Sequence, residues 1–221
     1  MATESPANLR AFVRRNTRLV IVPDLPGVRL HLADDVTTIG SLAGRELGDP
    51  DPDLPYWAFA WAGGLAVARY LMDHPDEVAG RNVVDVGSGS GLCAIVAMRL
   101  RAASAEAFDI DPLAGAAVAL NAQANGVRVG FRGRDILDAP PPECDVILAG
   151  DVCYQQTMAA RMLDWLHLAA RAGTRVLIGD PGRTYLPVGL KELASYRVRT
   201  SRELENADVK DSSVYTFPTG A

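Results

Sequence analysis

Three glycines at alternate positions follow a short apolar segment near the middle of the chain. Residues 82–91 read Asn-Val-Val-Asp-Val-Gly-Ser-Gly-Ser-Gly, which predicts a buried strand that ends in a glycine turn. Because glycine has no Cβ atom, a ligand can approach this backbone closely. The apolar residues 92–98 predict a helix, whose first N–H groups lack backbone partners and can bind a ligand. We therefore predict a nucleotide or nucleoside site at the turn, with five candidate contacts: Asp85, Gly87, Ser88, Gly89 and Gly91.

Acidic residues end the next two predicted strands. Asp109 stands 18 positions after the last glycine of the turn, where a carboxylate can accept hydrogen bonds from both hydroxyls of a ribose. Its neighbour Ile110 joins the candidate contacts. Asp135 follows a further strand and can reach the exocyclic amine of an adenine, while Ile136 can cover one face of the base. The glycine spacing G-x-G-x-G differs from the dinucleotide pattern G-x-G-x-x-G, so these residues favour adenosine over a dinucleotide.

Strands and helices alternate through the rest of the chain. The periodicity predicts strands at 105–111, 127–132, 145–150 and 174–179, and helices at 112–125 and 158–171. Asp111 is expected to cap the first of these helices. The tail segments 196–200 and 213–217 predict two antiparallel strands with no convincing helix between them. This order predicts an α/β fold with a doubly wound, mostly parallel seven-stranded sheet, whose ligand lies outside the carboxyl ends of the strands.

The segment before this sheet has elements of its own. Ser5 and Pro6 are typical of a helix start, which predicts a helix over 5–14. Segments 18–22 and 28–32 predict a β-hairpin outside the main sheet. The proline-rich segment 48–55 is expected to be irregular. We therefore divide the chain into an N-terminal extension over 1–54, packed on the core, and the ligand-binding domain over 55–221.

Composition limits the class of protein. The 221 residues suit one domain, and the net charge of −5 argues against a non-specific nucleic-acid binder. The three cysteines form neither a disulfide framework nor a zinc pattern, so no metal site is expected. Neither an apolar leader nor a run of about 18 apolar residues is present. We expect a cytoplasmic monomer that does not enter a membrane.

The glycine turn and the strand that follows it resemble class I methyltransferases that use S-adenosylmethionine. Residues 84–91 are similar to the first motif of those enzymes, and residues 108–112 with 121–126 are similar to the next. The resemblance implies a Rossmann-like fold and S-adenosylmethionine as cofactor.

Four separate stretches narrow the resemblance to family 16 of the protein-lysine methyltransferases. Residues 151–154, Asp-Val-Cys-Tyr, are similar to the D-x-x-Y pattern of that family, and residues 61–71 to the segment whose tryptophan borders the cofactor. Residues 55–58 and 178–183 resemble the branch that methylates the β subunit of electron transfer flavoprotein. Ala60 and Ala62 depart from the bulkier residues that this branch often has.

The resemblance implies roles for three residues. Asp151 and Tyr154 are expected to grip and orient the incoming lysine nitrogen, Asp151 and Trp61 to border the cofactor, and the substrate to be the flavoprotein β subunit. Asp151 as a cap of the following helix is the alternative for that residue. Arg183 fits either a tight turn or a contact with an acidic partner surface. Methylation of a ribosomal protein, methylation of a small molecule, and a silent cofactor-binding module remain as other functions.

Overall fold

The computed structural model describes residues 5–49 and 53–218. Part of the segment that the sequence predicts to be irregular, residues 50–52, lies outside the described residues. A short 3₁₀ turn, Tyr56–Ala58, follows the segment. Among the described residues, no helix has both the length and the apolar character needed to cross a membrane.

The centre of the described structure, over 53–218, is a seven-stranded sheet. Its strands are β3 (Asn82–Val86), β4 (Ser104–Asp109), β5 (Gly130–Gly133), β6 (Val146–Gly150), β7 (Arg175–Asp180), β8 (Lys191–Arg199) and β9 (Val209–Thr216). The strand order is β5-β4-β3-β6-β7-β9-β8. The first five strands in this order are parallel, and β9 runs antiparallel to both of its neighbours, β7 and β8. The predicted doubly wound, mostly parallel sheet is confirmed.

Helices cover both faces of the sheet. They are α3 (Ala62–Asp73), α4 (Leu92–Arg99), α5 (Pro112–Ala124), α6 (Gln156–Arg171) and the four-residue α7 (Arg202–Glu205). Successive residues of β6 alternate between two apolar clusters: Val146 and Leu148 pack with α3 and α4, whereas Ile147 and Ala149 pack with α6. Side chains of a strand point alternately to opposite faces, so a continuous apolar run is what a strand buried on both faces requires.

The N-terminal residues form a helix, a hairpin and a second helix. These are α1 (Pro6–Asn16), β1 (Arg18–Ile21), β2 (Arg29–Leu32) and α2 (Val36–Leu47). The predicted helix and hairpin are confirmed, including the cap by Ser5 and a hairpin that forms a separate two-stranded sheet. Phe12 and Ile39 pack in one apolar cluster with Leu113 and Leu120 of α5. The division into two units at residue 54 stays a prediction.

Three local features differ from the sequence prediction. Helix α2 was not predicted, although Asp35 caps it by accepting from the Thr38 N–H. Strand β5 begins three residues later than the predicted 127–132. The expectation of no helix between the tail strands is wrong for Arg202–Glu205, which is capped by Ser201. Four residues are too few to produce a helical period in the sequence.

Candidate functional site

A cavity of about 240 Å³ opens at the carboxyl ends of β3, β4 and β6. Eleven of the twelve residues predicted from the sequence line it: Trp61, Asp85, Gly87, Ser88, Gly89, Asp109, Ile110, Asp135, Ile136, Asp151 and Tyr154. The remaining residue, Gly91, is not in the cavity wall. A Cβ atom there would lie 2.9 Å from Cγ2 of Val118, and its φ is +78°. Close packing between helices α4 and α5 therefore explains this glycine.

The glycine turn brings its backbone to the floor of the cavity. Gly87 and Gly89 have φ values of +62° and +48°, a region that side-chain-bearing residues rarely adopt. The Ser88 N–H donates to the carbonyl of Phe108 over 3.0 Å, which ties the turn to strand β4. A Cβ atom on Gly89 would lie 3.3 Å from the carbonyl oxygen of Tyr56. The turn is thus held in a conformation that only glycine fits well.

Asp85 is buried beneath the turn. One of its oxygens accepts from the Ala94 N–H in the first turn of α4 over 3.0 Å. Burial raises the pKa of Asp85 to about 8. Through this hydrogen bond the carboxyl group holds the start of α4 against strand β3, and it also forms part of the cavity wall.

Asp109 and Ile110 form the second wall. The Asp109 carboxylate accepts from the Gly89 N–H over 2.8 Å and from the Asp111 N–H over 3.0 Å. Burial raises its pKa, and these backbone donors oppose that effect. The next side chain, Ile110, is 70% exposed. Asp111 accepts from the Leu113 N–H over 2.8 Å, which confirms it as the cap of α5.

Asp135 and Ile136 form the third wall. Asp135 accepts from the Leu137 N–H over 2.9 Å and from Arg161 over 2.6 Å. It therefore caps the short turn Ile136–Asp138, and the Ile136 side chain is buried beside the cavity. A contact between Asp135 and an adenine amine stays a prediction.

Aromatic rings line the mouth. The Trp61 indole donates to the Tyr56 carbonyl over 3.1 Å. The ring of Tyr56 lies 5.5 Å from that of Trp61 and 5.0 Å from that of Tyr154, centroid to centroid. Tyr154 is 44% exposed, and burial raises the pKa of its phenol. Tilted rings at these separations attract each other, which stabilises the shape of the cavity mouth.

Asp151 follows strand β6 with a φ of +58°. Its Oδ2 accepts from the Gly64 N–H over 2.9 Å, and its Oδ1 pairs with Nη2 of Arg183 over 2.7 Å. Burial raises the pKa of Asp151 to about 6, although Arg183 pulls it down. Helix α6 is capped at Gln155 without a side-chain bond. The alternative that Asp151 caps this helix is therefore wrong.

The loop after β7 is a tight turn. Asp180 accepts from the N–H groups of Gly182 and Arg183 over 2.7 and 2.6 Å. The Arg183 side chain is 21% exposed and pairs with Asp151 and Glu205 of the same chain. The tight turn is therefore confirmed, and the internal pairing of the Arg183 charge argues against its contact with a partner surface.

Several residues that line the cavity were not predicted from the sequence. The cavity is also lined by Leu54, Tyr56, Phe59, Gly64, Cys93, Phe108, Arg134, Met158, Arg161 and Met162. The aromatic concentration over 56–61 is a sequence signal for two of these residues. Glu205 carries no signal, because its partner Arg183 is distant in the chain. Within the described ranges no group of three or more His, Cys, Asp or Glu side chains is arranged to hold a metal ion.

Comparison with known proteins adds the family. Residues 70–152 match the family model described as ribosomal protein L11 methyltransferase (PrmA). The electron transfer flavoprotein beta subunit lysine methyltransferase of Xenopus laevis is 36% identical over 221 residues, which cover 94% of this chain and 86% of that protein. Its Homo sapiens counterpart is 38% identical over 219 residues, covering 95% and 82%.

A solved structure supports the fold. The magnesium protoporphyrin IX methyltransferase of Synechocystis PCC 6803 is 19% identical, covers 84% of this chain and 98% of its own, and gives a TM-score of 0.52. The lysine methyltransferases of Xenopus laevis and Homo sapiens are each more than 30% identical to this chain, and each match covers most of both proteins. The chain therefore belongs to the family of the electron transfer flavoprotein beta subunit lysine methyltransferases.

Proposed function

We propose that this protein transfers methyl groups from S-adenosylmethionine to lysine side chains of a protein, and that its substrate is the β subunit of electron transfer flavoprotein. One observation carries the proposal. Asp151 and Tyr154 line the same cavity as Asp109 and the glycine turn. The residues predicted to hold the acceptor and those predicted to hold the nucleoside thus line one cavity, which supports a transfer between two ligands.

The residues of the cavity fit S-adenosylmethionine. The Asp109 carboxylate has lone pairs left for ribose hydroxyls besides those used by its two backbone donors. Ile110 offers an exposed apolar surface, and Ile136 a buried one, to the faces of an adenine. Gly87 and Gly89 let the ligand approach the backbone. When bound, this cofactor supplies an electrophilic methyl group.

The acceptor side requires positioning more than strong base catalysis. A free lysine amine has a pKa of about 10.4, so it must reach the cofactor neutral. Burial raises the pKa of Asp151 to about 6, which leaves the carboxylate ionised at neutral pH. It is then an acceptor for the amine protons rather than a strong base. Tyr154 borders the same space, so the two side chains orient the nitrogen for attack.

The experiment is a labelling of the natural substrate. The protein is incubated with isotopically labelled S-adenosylmethionine and an extract of its own organism, and labelled polypeptides are identified by mass spectrometry. We expect label on lysines of the flavoprotein β subunit. Label on small molecules alone would contradict a protein substrate, and a complete absence of label would favour a silent binding module.

A ribosomal protein is the second candidate substrate, because residues 70–152 match the L11 methyltransferase model. That match covers the cofactor half of the cavity and ends at Val152, before Tyr154. The loop around Arg183 also lies outside it. Label on a ribosomal protein in the same extract would favour this alternative.

We further propose that the protein acts as a cytoplasmic monomer and does not bind nucleic acid. The net charge of −5 supports the last point, because nucleic-acid binders usually carry a basic surface. Light scattering tests the mass, and fractionation of the source cells tests the compartment. A dimer in solution or a protein recovered from an organelle would contradict these points.

A further inference from the structure

A buried chain of charged groups lies behind the acceptor side of the cavity. Nη2 of Arg183 lies 2.7 Å from Oδ1 of Asp151 and 2.9 Å from Oε1 of Glu205. The side chains of Asp151 and Glu205 are 11% and 4% exposed. One guanidinium nitrogen therefore joins two carboxylates away from bulk solvent, where charge-assisted hydrogen bonds are strongest.

This arrangement fixes the direction of the Asp151 carboxylate. Its two oxygens are held from different sides, one by Arg183 and the other by the Gly64 N–H at the start of α3. A carboxylate held at one oxygen can still rotate about its side-chain bonds, whereas two fixed oxygens define its plane. Removing Arg183 leaves only the Gly64 contact.

Glu205 holds the same guanidinium nitrogen as Asp151. It lies on helix α7, whose neighbour Glu203 accepts from the Val36 N–H at the start of α2 over 2.5 Å. Helix α7 is therefore attached to the N-terminal residues as well as to Arg183. The tail of the chain thus reaches the acceptor side of the cavity through one glutamate.

We infer that Arg183 and Glu205 are positioning residues for methyl transfer, which hold the Asp151 carboxylate in the orientation that receives the acceptor lysine. This inference rests on the proposed function. Neither residue lines the cavity, so both act through Asp151 and are not expected to touch either ligand.

Among the described residues, five titratable groups interact electrostatically with the Asp151–Arg183 pair: Glu205, Asp180, Tyr56, Cys93 and Cys153. Burial raises the pKa of Asp151, and Arg183 opposes this effect. Loss of the arginine charge therefore moves the pKa of Asp151 further up. Because transfer needs ionised Asp151, the rate of the variant begins to fall at a higher pH than the wild-type rate does as the pH is lowered.

The test uses full-length Arg183→Met, Arg183→Lys and Glu205→Gln. Arg202→Met is the matched control, because Arg202 lies on the same α7 but is 80% exposed and pairs with Asp208 at the surface. For each variant, kcat and KM for the protein acceptor, the Kd for S-adenosylhomocysteine and the far-ultraviolet circular dichroism are measured from pH 6 to 9. The variant-to-wild-type rate ratio removes the titration of the lysine itself.

We expect Arg183→Met to lower kcat about 10- to 100-fold with an unchanged Kd for S-adenosylhomocysteine. The ratio of its rate to the wild-type rate should decrease as the pH is lowered from 9 to 6. Arg183→Lys should restore part of the rate, because an ammonium can still pair with a carboxylate. Glu205→Gln should lower kcat less than Arg183→Met does and should not show its fall in rate ratio toward pH 6, because the Glu205 charge raises the pKa of Asp151. Arg202→Met should behave as the wild type.

A rate ratio for Arg183→Met that stays constant with pH, or a kcat of Arg183→Met and Glu205→Gln equal to that of the wild type, would overturn the inference. Asp151→Ala separates this failure from failure of the proposed function. If Asp151→Ala abolishes transfer while the Arg183 variants are fully active, the positioning role is wrong and the function stands. If the wild-type protein methylates no protein at all, the proposed function fails first.

Discussion

Gly63 of helix α3 lies against Gly179 of strand β7 so closely that neither position has room for a Cβ atom. A Cβ on Gly63 would overlap the Gly179 carbonyl oxygen and lie 2.7 Å from the Asp151 backbone nitrogen. A Cβ on Gly179 would overlap the Gly63 carbonyl and lie 2.7 Å from Cγ2 of Val67. This contact brings the first turn of α3, including the Gly64 N–H, within reach of the Asp151 carboxylate.

Gly63→Ala should therefore destabilise the fold by at least about 2 kcal/mol, since overfilling a packed interior has costs of that order. The atoms that must move are backbone atoms, which cannot turn away as a side chain can. Gly64→Ala is the matched control for stability, because its Cβ would meet only Cys93 Sγ at 3.9 Å. Chemical denaturation measures both variants, and equal stabilities would contradict the packing argument.

Asp109→Asn should weaken cofactor binding. The neutral amide loses charge-assisted acceptance from the ribose hydroxyls, which is worth about 1.5–3 kcal/mol, or roughly 10- to 150-fold in Kd. Calorimetric titration with S-adenosylhomocysteine measures the change. Glu106→Gln on the same strand is the control, because Glu106 pairs with Arg132 at the surface. A Kd that changes equally in both variants would show that Asp109 makes no special contact.

Ile110→Ala should weaken cofactor binding without a loss of stability. The side chain is 70% exposed without ligand, so the folded protein gains little from it, whereas a bound adenine would cover it. We expect a loss of about 1–2 kcal/mol, or roughly 5- to 30-fold in Kd. Ile21→Ala is the control, because Ile21 is 67% exposed on the hairpin. An unchanged Kd for Ile110→Ala would mean that the adenine lies elsewhere.

Asp85→Asn should change how stability depends on pH. Burial raises the pKa of Asp85 from 3.8 to about 8 in the folded protein. Between these values the unfolded chain has lost the proton and the folded chain keeps it, so wild-type stability falls as pH rises from about 4 to 8. The asparagine removes this loss and should be more stable than wild type at pH 8, by roughly 1–4 kcal/mol.

Thermal unfolding at a series of pH values measures this difference. The advantage of Asp85→Asn should shrink as the pH falls toward 4 and disappear below it, where the wild-type carboxyl group is protonated in both states. A difference between the two proteins that does not change with pH would mean that Asp85 is ionised in the folded protein.

The centre of the main sheet could be predicted because strands β3, β6 and β7 are buried on both faces. Strand β6 is a continuous apolar run, and the glycine turn follows β3 at a place where only a ligand or a close backbone explains three glycines. Helix α2 has no such signal, since its interior contains Gly40 and Gly44, which lower helix propensity. Its formation depends on Asp35 as a cap and on packing of Ile39 in the core.

Site residues that directly follow strands could be predicted, whereas contacts between residues that only the tertiary structure brings together could not. Asp109 ends β4 and Asp151 follows β6, the strands on either side of β3, so strand order alone brings them to the same edge of the sheet. The pairing of Arg183 with Glu205 depends on where the short helix α7 lies after the antiparallel strand β8. The turn formed by Asp180 and the inward direction of Arg183 likewise depend on tertiary contacts, which the periodicity of the sequence does not predict.

The most direct measurement uses purified proteins. The flavoprotein β subunit and ribosomal protein L11 of the same organism are each incubated with labelled S-adenosylmethionine and either the wild-type protein or Asp151→Ala, and methylated residues are mapped by mass spectrometry. We predict methyl groups on lysines of the flavoprotein subunit with the wild-type protein, and none with Asp151→Ala, which should still bind S-adenosylhomocysteine. Methylation of L11 alone, or equal methylation by Asp151→Ala, would contradict the account.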